Sequence, residues 1–402
     1  MALLTVEDAL ARVLNGAEAA EPEHVAVEHA HGRVLAASLQ ALLTQPPFPA
    51  SAMDGYAVRA ADVASLPATL TVIGVAAAGH PFAGRVSAGE AVRIFTGAPV
   101  PEGADAIVIQ ENTARDGVTL IVREGTIETE FLRPRGMDFH EGATLLAAGR
   151  RLGACEVALA AAMGHGAIAV HRRPRVAVLS TGDELAAPGA RPGPGQIVAC
   201  NHLAVGALAQ AAGGEVRQLG IARDDREDLA RHFAEATGAD ILVTTGGVSV
   251  GDHDLVAPAL QALGMALAFW KIAMRPGKPL MYGRMGTTRV LGLPGNPAAS
   301  VVGARLFLVP LIWRLSGRPV EAALDTVEAR LGVDVEANGA RQHYMRAVLR
   351  PGPDGLAEVV PFPLQHSSLI VPLAEADCLL VRPPNAPAAG AGSAVRILPL
   401  DV

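Results

Sequence analysis

The sequence predicts a multidomain α/β protein with a doubly wound α/β/α domain at its centre, and three observations carry that prediction. Between Arg175 and Asp240, strand-like and helix-like stretches alternate, the pattern of a parallel sheet covered on both faces. Before that region, short strand-like pieces separated by Gly and Pro run from Gln45 to near Arg135, which reads as a small β unit. At 402 residues the chain exceeds one ordinary core and suits about two to four domains.

Taken in order, Thr5 is placed to cap a helix carrying Val6, Leu10, Val13 and Leu14 on one face, with Asp8 in its first turn. The β unit follows as strand-like runs Leu70 to Val75, Ala91 to Phe95, Ala106 to Gln110 and Val118 to Val122. In the central region come a strand over Val176 to Leu179, a helix opening at Asn201, a strand over Glu215 to Ile221, a helix over Asp225 to Ala236 and a strand over Ile241 to Thr244. After Pro319 the pattern returns to short strands with Pro and Gly turns. The expected units are 1–45 together with 138–174, an inserted β domain at 46–137, an α/β domain at 175–318 and a C-terminal β domain at 319–402.

Composition excludes several classes. Half the chain is hydrophobic, 3% is aromatic, and the net charge is -7 without a Lys/Arg run, which disfavours nucleic acid as a partner. The N-terminus lacks a basic segment before its apolar stripe, so it reads as a helix and the expected location is the cytoplasm. Ala298 to Leu315 is apolar but interrupted by Arg305, Pro310 and Arg314, a buried helix and not a membrane span. Cys155, Cys200 and Cys378 form no C-x-x-C and the twelve histidines are scattered, so neither a disulfide frame nor a zinc site is indicated.

The most informative stretch is Asp240 to Asp254, DILVTTGGVSVGDHD. A β-branched run ends in Gly246 and Gly247, with Ser249 and then Asp252 and Asp254 behind them. Strand ends of this kind bind ligands in open α/β sheets. Gly246 and Gly251 have P-loop spacing, but Asp252 and His253 stand where Lys and Ser or Thr are needed, so an ordinary NTPase is excluded. The glycines permit close approach and backbone N–H groups offer anion donors, while the acids reach a phosphate only through a hard cation such as Mg²⁺. The plain reading is a strand-to-helix turn capped by Asp252 or Asp254.

Three further segments fall beside it. Ser180 to Leu185, STGDEL, follows a strand and presents Thr181, Gly182, Asp183 and Glu184. One carboxylate can hold a cation while another positions or deprotonates water. LPGNP places Pro294 and Asn296 before a helix opening at Pro297, where free N–H groups attract anions. RPGKP carries Arg275 and Lys278 around a Pro-Gly turn, a match for a di-anion. Each has a plain alternative as a cap or a solvated turn. In the β unit, AMDGYA around Asp54, FTGAPVP with Thr96, and RGMD with Asp138 each read singly as turn chemistry.

In order, AMDGYA, FTGAPVPEGADAIV, RGMDF, STGDEL, GGVSVGDHD, RPGKP and LPGNP resemble the molybdopterin molybdenumtransferase family: bacterial MoeA proteins, the corresponding plant E domain and the E domain of gephyrin. The likeness runs from the N-terminal helix to near the C-terminus. It implies an elongated homodimer of four domains, with 1–45 and 138–174 as the elongated dimerisation segment, 175–318 as the molybdopterin-binding domain and the C-terminal β domain barrel-like. It implies that adenylylated molybdopterin is hydrolysed and molybdate inserted, giving molybdenum cofactor and AMP with Mg²⁺.

By that resemblance, Thr181, Gly182, Asp183, Gly246, Gly247, Ser249, Arg275, Lys278, Pro294 and Asn296 bind the substrate, and Asp224, Asp252 and Asp254 serve the metal. Glu184 is catalytic, with Asp54, Thr96 and Asp138 reaching the cleft from the opposite subunit. Arg275 departs from the Lys of many relatives, keeping charge but changing hydrogen-bond geometry. No adenylyltransferase domain is fused, so a separate adenylyltransferase is the expected transient partner. The alternatives are a non-catalytic scaffold on the same fold, against which the retained acids speak, and the adenylyltransferase itself, which shares only the α/β domain.

Overall fold

The computed structural model describes residues 3–124, 131–248, 255–352 and 357–401. At its centre is a six-stranded sheet in the order Glu215–Ala222, Arg175–Thr181, Ile241–Thr245, Thr288–Leu293, Met281–Met285, Ala266–Trp270. The first four strands are parallel to one another. The last two return antiparallel, an extension that the alternating pattern upstream did not reveal. They form a local up-and-down pair, which needs no crossover helix and therefore leaves no helical signature between them.

Burial explains the near-continuous apolar strands. Val176, Val178, Ile241 and Val243 belong to the core on one face, whereas Ala177, Leu179 and Leu242 belong to the core on the other. Alternate residues point to opposite faces, so a strand covered on both sides is apolar throughout. Helices Arg226–Glu235 and Val256–Ala262 supply Leu229, Phe233, Val256 and Leu260 to the second face. Helix Asn201–Ala211 and the long helix Pro297–Leu315 cover the first.

That long helix is 94% buried over its apolar window. Its middle, Ala304–Leu308, is π-helical, and Pro310 just beyond has no N–H to give to the preceding turn, a common cause of such a widening. Arg305 is 4% exposed. Its Nη1 donates to Ala323 O at 2.6 Å and its Nε to Pro399 O at 3.1 Å, so the charge is solvated by carbonyls, while burial lowers its pKa to about 10.

The Val6–Leu14 helix carries the expected Thr5 cap, whose hydroxyl accepts from Asp8 N–H at 3.0 Å. Its buried face, Val6, Ala9 and Val13, joins the core of the central sheet. Burying each valine there stabilises by about 1.5–3 kcal/mol. Tyr282 Oη donates to Val13 O at 3.0 Å, tying the helix to strand Met281–Met285. Amphipathicity predicted that this helix packs, but not onto what.

Pro22–Ala26 pairs with Ala167–His171, and Leu39–Gln40 with Thr144–Leu146, so two stretches far apart in sequence share one core. Between them lies a six-stranded sheet in the order Ala106–Ile109, Gly55–Val58, Glu90–Ile94, Ala68–Ala76, Thr119–Val122, Thr113–Asp116. At the C-terminus, strands Gln342–Pro351, Ala357–Pro361, Val327–Leu331, Ala394–Pro399 and Cys378–Arg382 pair in a ring that closes on itself. This is a five-stranded barrel, and closure leaves it no free edge.

Candidate active site

The carboxyl ends of the parallel strands bring three of the motif loops together. Gly246 is the pivot. Its φ is +100°, and a Cβ there would lie 2.5 Å from Thr181 O and 3.0 Å from Thr181 Oγ1. Its Cα also sits 3.7 Å from where a Cβ on Gly295 would fall. Only glycine permits this approach, because a side chain would be both strained and in collision. The loops after Arg175–Thr181, Ile241–Thr245 and Thr288–Leu293 therefore meet in one crevice, as expected.

The donor inventory differs from the expectation. Gly246 N–H donates to Leu293 O at 3.0 Å and Gly182 N–H to Ala222 O at 3.1 Å, so neither is free for an anion. Their part is to let the loops close on one another. The long helix does begin at Pro297 with Asn296 at the cap position, but the Asn296 side chain makes no capping bond. Ala298 N–H is not free either, because it donates to Ser367 O at 2.9 Å. A carbonyl from the C-terminal region occupies that place, and the exposed Asn296 amide is left for another partner.

Thr181 Oγ1 is buried and has no hydrogen-bond partner among the described residues, and Ser300 Oγ in the first turn of the long helix is in the same state. Orphaned buried hydroxyls cost about 1–3 kcal/mol each unless a ligand or water meets them. Beneath the crevice, Ser180 Oγ lies 3.2 Å from His202 Nδ1 and 3.1 Å from Thr245 Oγ1. Asn201 Nδ2 donates to Gly295 O at 2.7 Å, pinning the LPGNP loop. Sequence reasoning missed this support; its signal was two hydroxyl residues at the ends of otherwise apolar strands.

Around the crevice the acids crowd. Asp183 and Glu184 are exposed, and the Glu184 carboxylate folds back against the Cα of Gly182. Asp183 Oδ1 accepts the N–H of Asp224 at 3.2 Å. Partial desolvation, then the charges of Asp183 and Glu184, hold the Asp224 carboxyl above its usual range. The following residue, Asp225, is the real helix cap, accepting from Glu227 and Asp228 N–H at 3.0 Å each. Among the described residues no three Asp, Glu, His or Cys side chains are placed to hold a metal ion. Of the expected metal set only Asp224 is described; Asp252 and Asp254, with Ser249, lie outside the described residues. The next helix runs Val256–Ala262 with Leu255 at its cap position, and the capping expected of Asp252 or Asp254 falls outside the described residues.

The basic turn lies close by. A Cβ on Gly277 would be 3.6 Å from Ala299 O, in the first turn of the long helix, so RPGKP flanks the LPGNP loop. Arg275 and Lys278 are exposed, and among the described residues neither has an ion-pair partner. Pro294 is buried in the turn between strand and helix.

Asp54 and Thr96 are joined to each other. Thr96 donates its N–H and its hydroxyl to Asp54 Oδ1, each at 2.8 Å, and those bonds, with Arg93 nearby, hold the Asp54 carboxyl below its usual range. Arg93 lies 5.1 Å from the Tyr56 ring centroid and 4.9 Å from that of Phe95, which stiffens the pair's surroundings. Asp138 is exposed and its N–H donates to Gln45 O at 3.0 Å. Among the described residues no hydrogen bond ties Asp54, Thr96 or Asp138 to the central sheet of the same chain.

Fold and site together define a multidomain α/β protein with a crevice at the carboxyl edge of its sheet, bordered by acids and a basic turn. Family models match it at residues 4–164 (MoeA N-terminal region, domain I and II), 177–314 (probable molybdopterin binding domain) and 328–400 (MoeA C-terminal region, domain IV). A molybdopterin molybdenumtransferase of Nostoc sp. is 37% identical over 382 residues, covering 93% of this chain and 87% of the relative. One of Haemophilus influenzae is 32% identical over 408 residues, covering 99% of each. The crystal structure of a molybdopterin biosynthesis MoeA protein from Pyrococcus horikoshii superposes with a TM-score of 0.83 at 32% identity over the full length of both chains. The chain belongs to the molybdopterin molybdenumtransferase family, transferases of molybdenum cofactor biosynthesis.

Proposed function

We propose that this chain transfers molybdenum to molybdopterin, taking adenylylated molybdopterin and molybdate and releasing molybdenum cofactor and AMP. The observation that carries the reading is the crevice itself: a buried Thr181 hydroxyl without a partner among the described residues, near a crowded acid cluster and a basic turn that likewise has no ion pair among them. Such a site is poised for a ligand that brings both phosphate oxygens and positive charge.

Arg275 and Lys278 bind the substrate's anionic groups, with Arg275 able to grip two oxygens at once. The Asn296 amide and the Thr181 hydroxyl orient it, and Glu184 positions or deprotonates the water that opens the adenylyl anhydride. Mg²⁺ fits this donor set, because it binds through one or two carboxylates completed by phosphate oxygens and water and needs no preformed cage. When bound it would offset negative charge on the phosphates. The acids that would hold it are Asp224, Asp252 and Asp254. A second copy of the chain supplies Asp54, Thr96 and Asp138 to the crevice, which accounts for their isolation from the sheet edge of their own chain.

The test is AMP release from adenylylated molybdopterin with molybdate and Mg²⁺. Glu184→Ala lowers the rate by about 100-fold or more while the protein stays folded. Mixing Glu184→Ala with Asp54→Ala chains restores part of the activity through mixed dimers. Full AMP release by Glu184→Ala alone sinks the assignment of the general base, and no rescue on mixing sinks the shared site.

A further inference from the structure

The open end of the C-terminal barrel holds a cavity of about 620 Å³ whose lining has only Arg275 in common with the sheet-edge site. Val335, Met345, Val360 and Phe362 give it apolar walls, and Arg275, His343 and Arg382 line it with polar groups. That volume is within the range of about 300–1,000 Å³ usual for small-molecule sites, and barrel mouths are a common place for them.

His343 is out of place in an ordinary barrel. Met345 and Ala347 of the same strand pack in the barrel core, and the two-residue period turns His343 to that side as well. It is 8% exposed, and its buried Nε2 has no hydrogen-bond partner among the described residues. Burial first, then the charges of Arg275, Arg346, Arg341 and Arg382, push its pKa down to about 4, so at neutral pH the ring is uncharged and offers one donor and one acceptor.

The arginines carry a second mark. Arg382, 6% exposed, donates Nη2 to the carbonyls of Glu336 and Pro387. Arg346, 1% exposed, bonds only to amide and carbonyl oxygens, among them Gln365 Oε1 at 3.2 Å and His366 O at 3.0 Å. Among the described residues none of Arg275, Arg341, Arg346 and Arg382 forms an ion pair. Of these, Arg275 and Arg382 line the cavity, and among the described residues no carboxylate is bonded to either, although Asp334 and Glu336 line it as well.

We propose that the barrel mouth is a second binding site, separate from the crevice at the sheet edge, for a small organic anion. Its carboxylate or phosphate meets Arg275 and the His343 ring, and its apolar body fills the space between Val335, Met345 and Phe362. Arg275 is the residue the two regions share. Its short strand, Met274–Arg275, pairs with Gln342 and His343, so an occupant of the barrel mouth bears directly on the basic turn. The inference does not rest on the transferase reading.

Calorimetric titration of the full chain tests it with four probes: benzoate, phenyl phosphate, inorganic phosphate and benzyl alcohol. One or both aromatic anions bind with one-to-one stoichiometry, about tenfold or more tighter than inorganic phosphate or benzyl alcohol, since charge and apolar body are both required. Which of the two binds better tells carboxylate from phosphate. Val335→Trp, which fills the cavity, abolishes this binding, His343→Phe weakens it about tenfold, and Lys278→Ala leaves it unchanged. Should Val335→Trp fail to fold, His343→Phe and Lys278→Ala decide. The proposal is overturned if neither aromatic anion binds, if binding survives Val335→Trp, if His343→Phe binds as well as the parent, or if Lys278→Ala abolishes binding, which would move the ligand to the crevice.

Discussion

Two threonine–aspartate neighbourhoods, one in the inserted β sheet and one at the edge of the central sheet, are built from similar residues and stand in opposite states. Thr96 spends its hydroxyl and its N–H on Asp54, and that carboxyl is held below its usual range. Thr181 spends its hydroxyl on none of the described residues, and the nearby Asp224 is held above its usual range beside Asp183 and Glu184. The first is complete within one chain. The second is complete only when something else arrives, which is what a binding crevice requires and a structural turn does not.

The sharpest way to break the comparison is through the glycines that shape each loop. Gly246→Val costs about 2–5 kcal/mol in urea unfolding, because it adds strain at a φ of +100° to a collision with Thr181 O. Gly97→Ala, next to Thr96, has a φ of +81° but nothing nearer than Ala78 Cβ at 3.9 Å, so it costs only the backbone strain, about 1–2 kcal/mol. Equal losses would mean that the crevice loops are not packed as tightly as described.

Removing the hydroxyls gives a smaller effect of opposite sign. Thr96→Val removes the hydroxyl bond to Asp54 and keeps the N–H bond, so it lowers the urea midpoint only slightly. Thr181→Val removes an unsatisfied buried group, so stability holds or rises by up to about 1 kcal/mol, while AMP release falls. If Thr181→Val unfolds the protein at lower urea, its hydroxyl has a structural partner and is not waiting for a ligand.

Smallest is the pH response. Asp54 has a depressed folded pKa, so its contribution is present above the usual aspartate value of about 4 and fades as pH falls through the folded value. Asp224 has a raised folded pKa, so its favourable contribution is present below the usual value, while it is protonated, and is lost as pH rises through the folded one. Comparing Asp54→Asn and Asp224→Asn with the parent between pH 3 and 7 shows this as slopes of opposite sign. At pH 7 Asp224→Asn is neutral or slightly stabilising, within about 0.5 kcal/mol for so exposed a group.

Much of the fold was legible because each element carries its own signal. Thr5 with Asp8, Asp225 ahead of Arg226, and Asn296 before Pro297 mark helix starts through local backbone chemistry, and all three sit at cap positions. The antiparallel strands Ala266–Trp270 and Met281–Met285 were not legible, since their pattern is half-buried and short. The site was legible as a set of loops after strands. Which donors remain free was not, because Gly246 and Ala298 lose theirs to Leu293 and Ser367, residues distant in sequence.

By itself the sequence determined the alternation of strands and helices, the loops that carry glycine, acid and base, and the family to which seven ordered motifs belong. Those are properties of short windows, set by dihedral preference, periodicity and side-chain chemistry. Tertiary structure alone decided that the first helix covers the central sheet, that five C-terminal strands close into a ring, and that His343, Arg275 and Arg382 line its mouth. It also decided that Thr181 is left without a partner while Thr96 is not. Satisfaction of a polar group depends on what the rest of the chain brings within about 3 Å, and no local pattern encodes that.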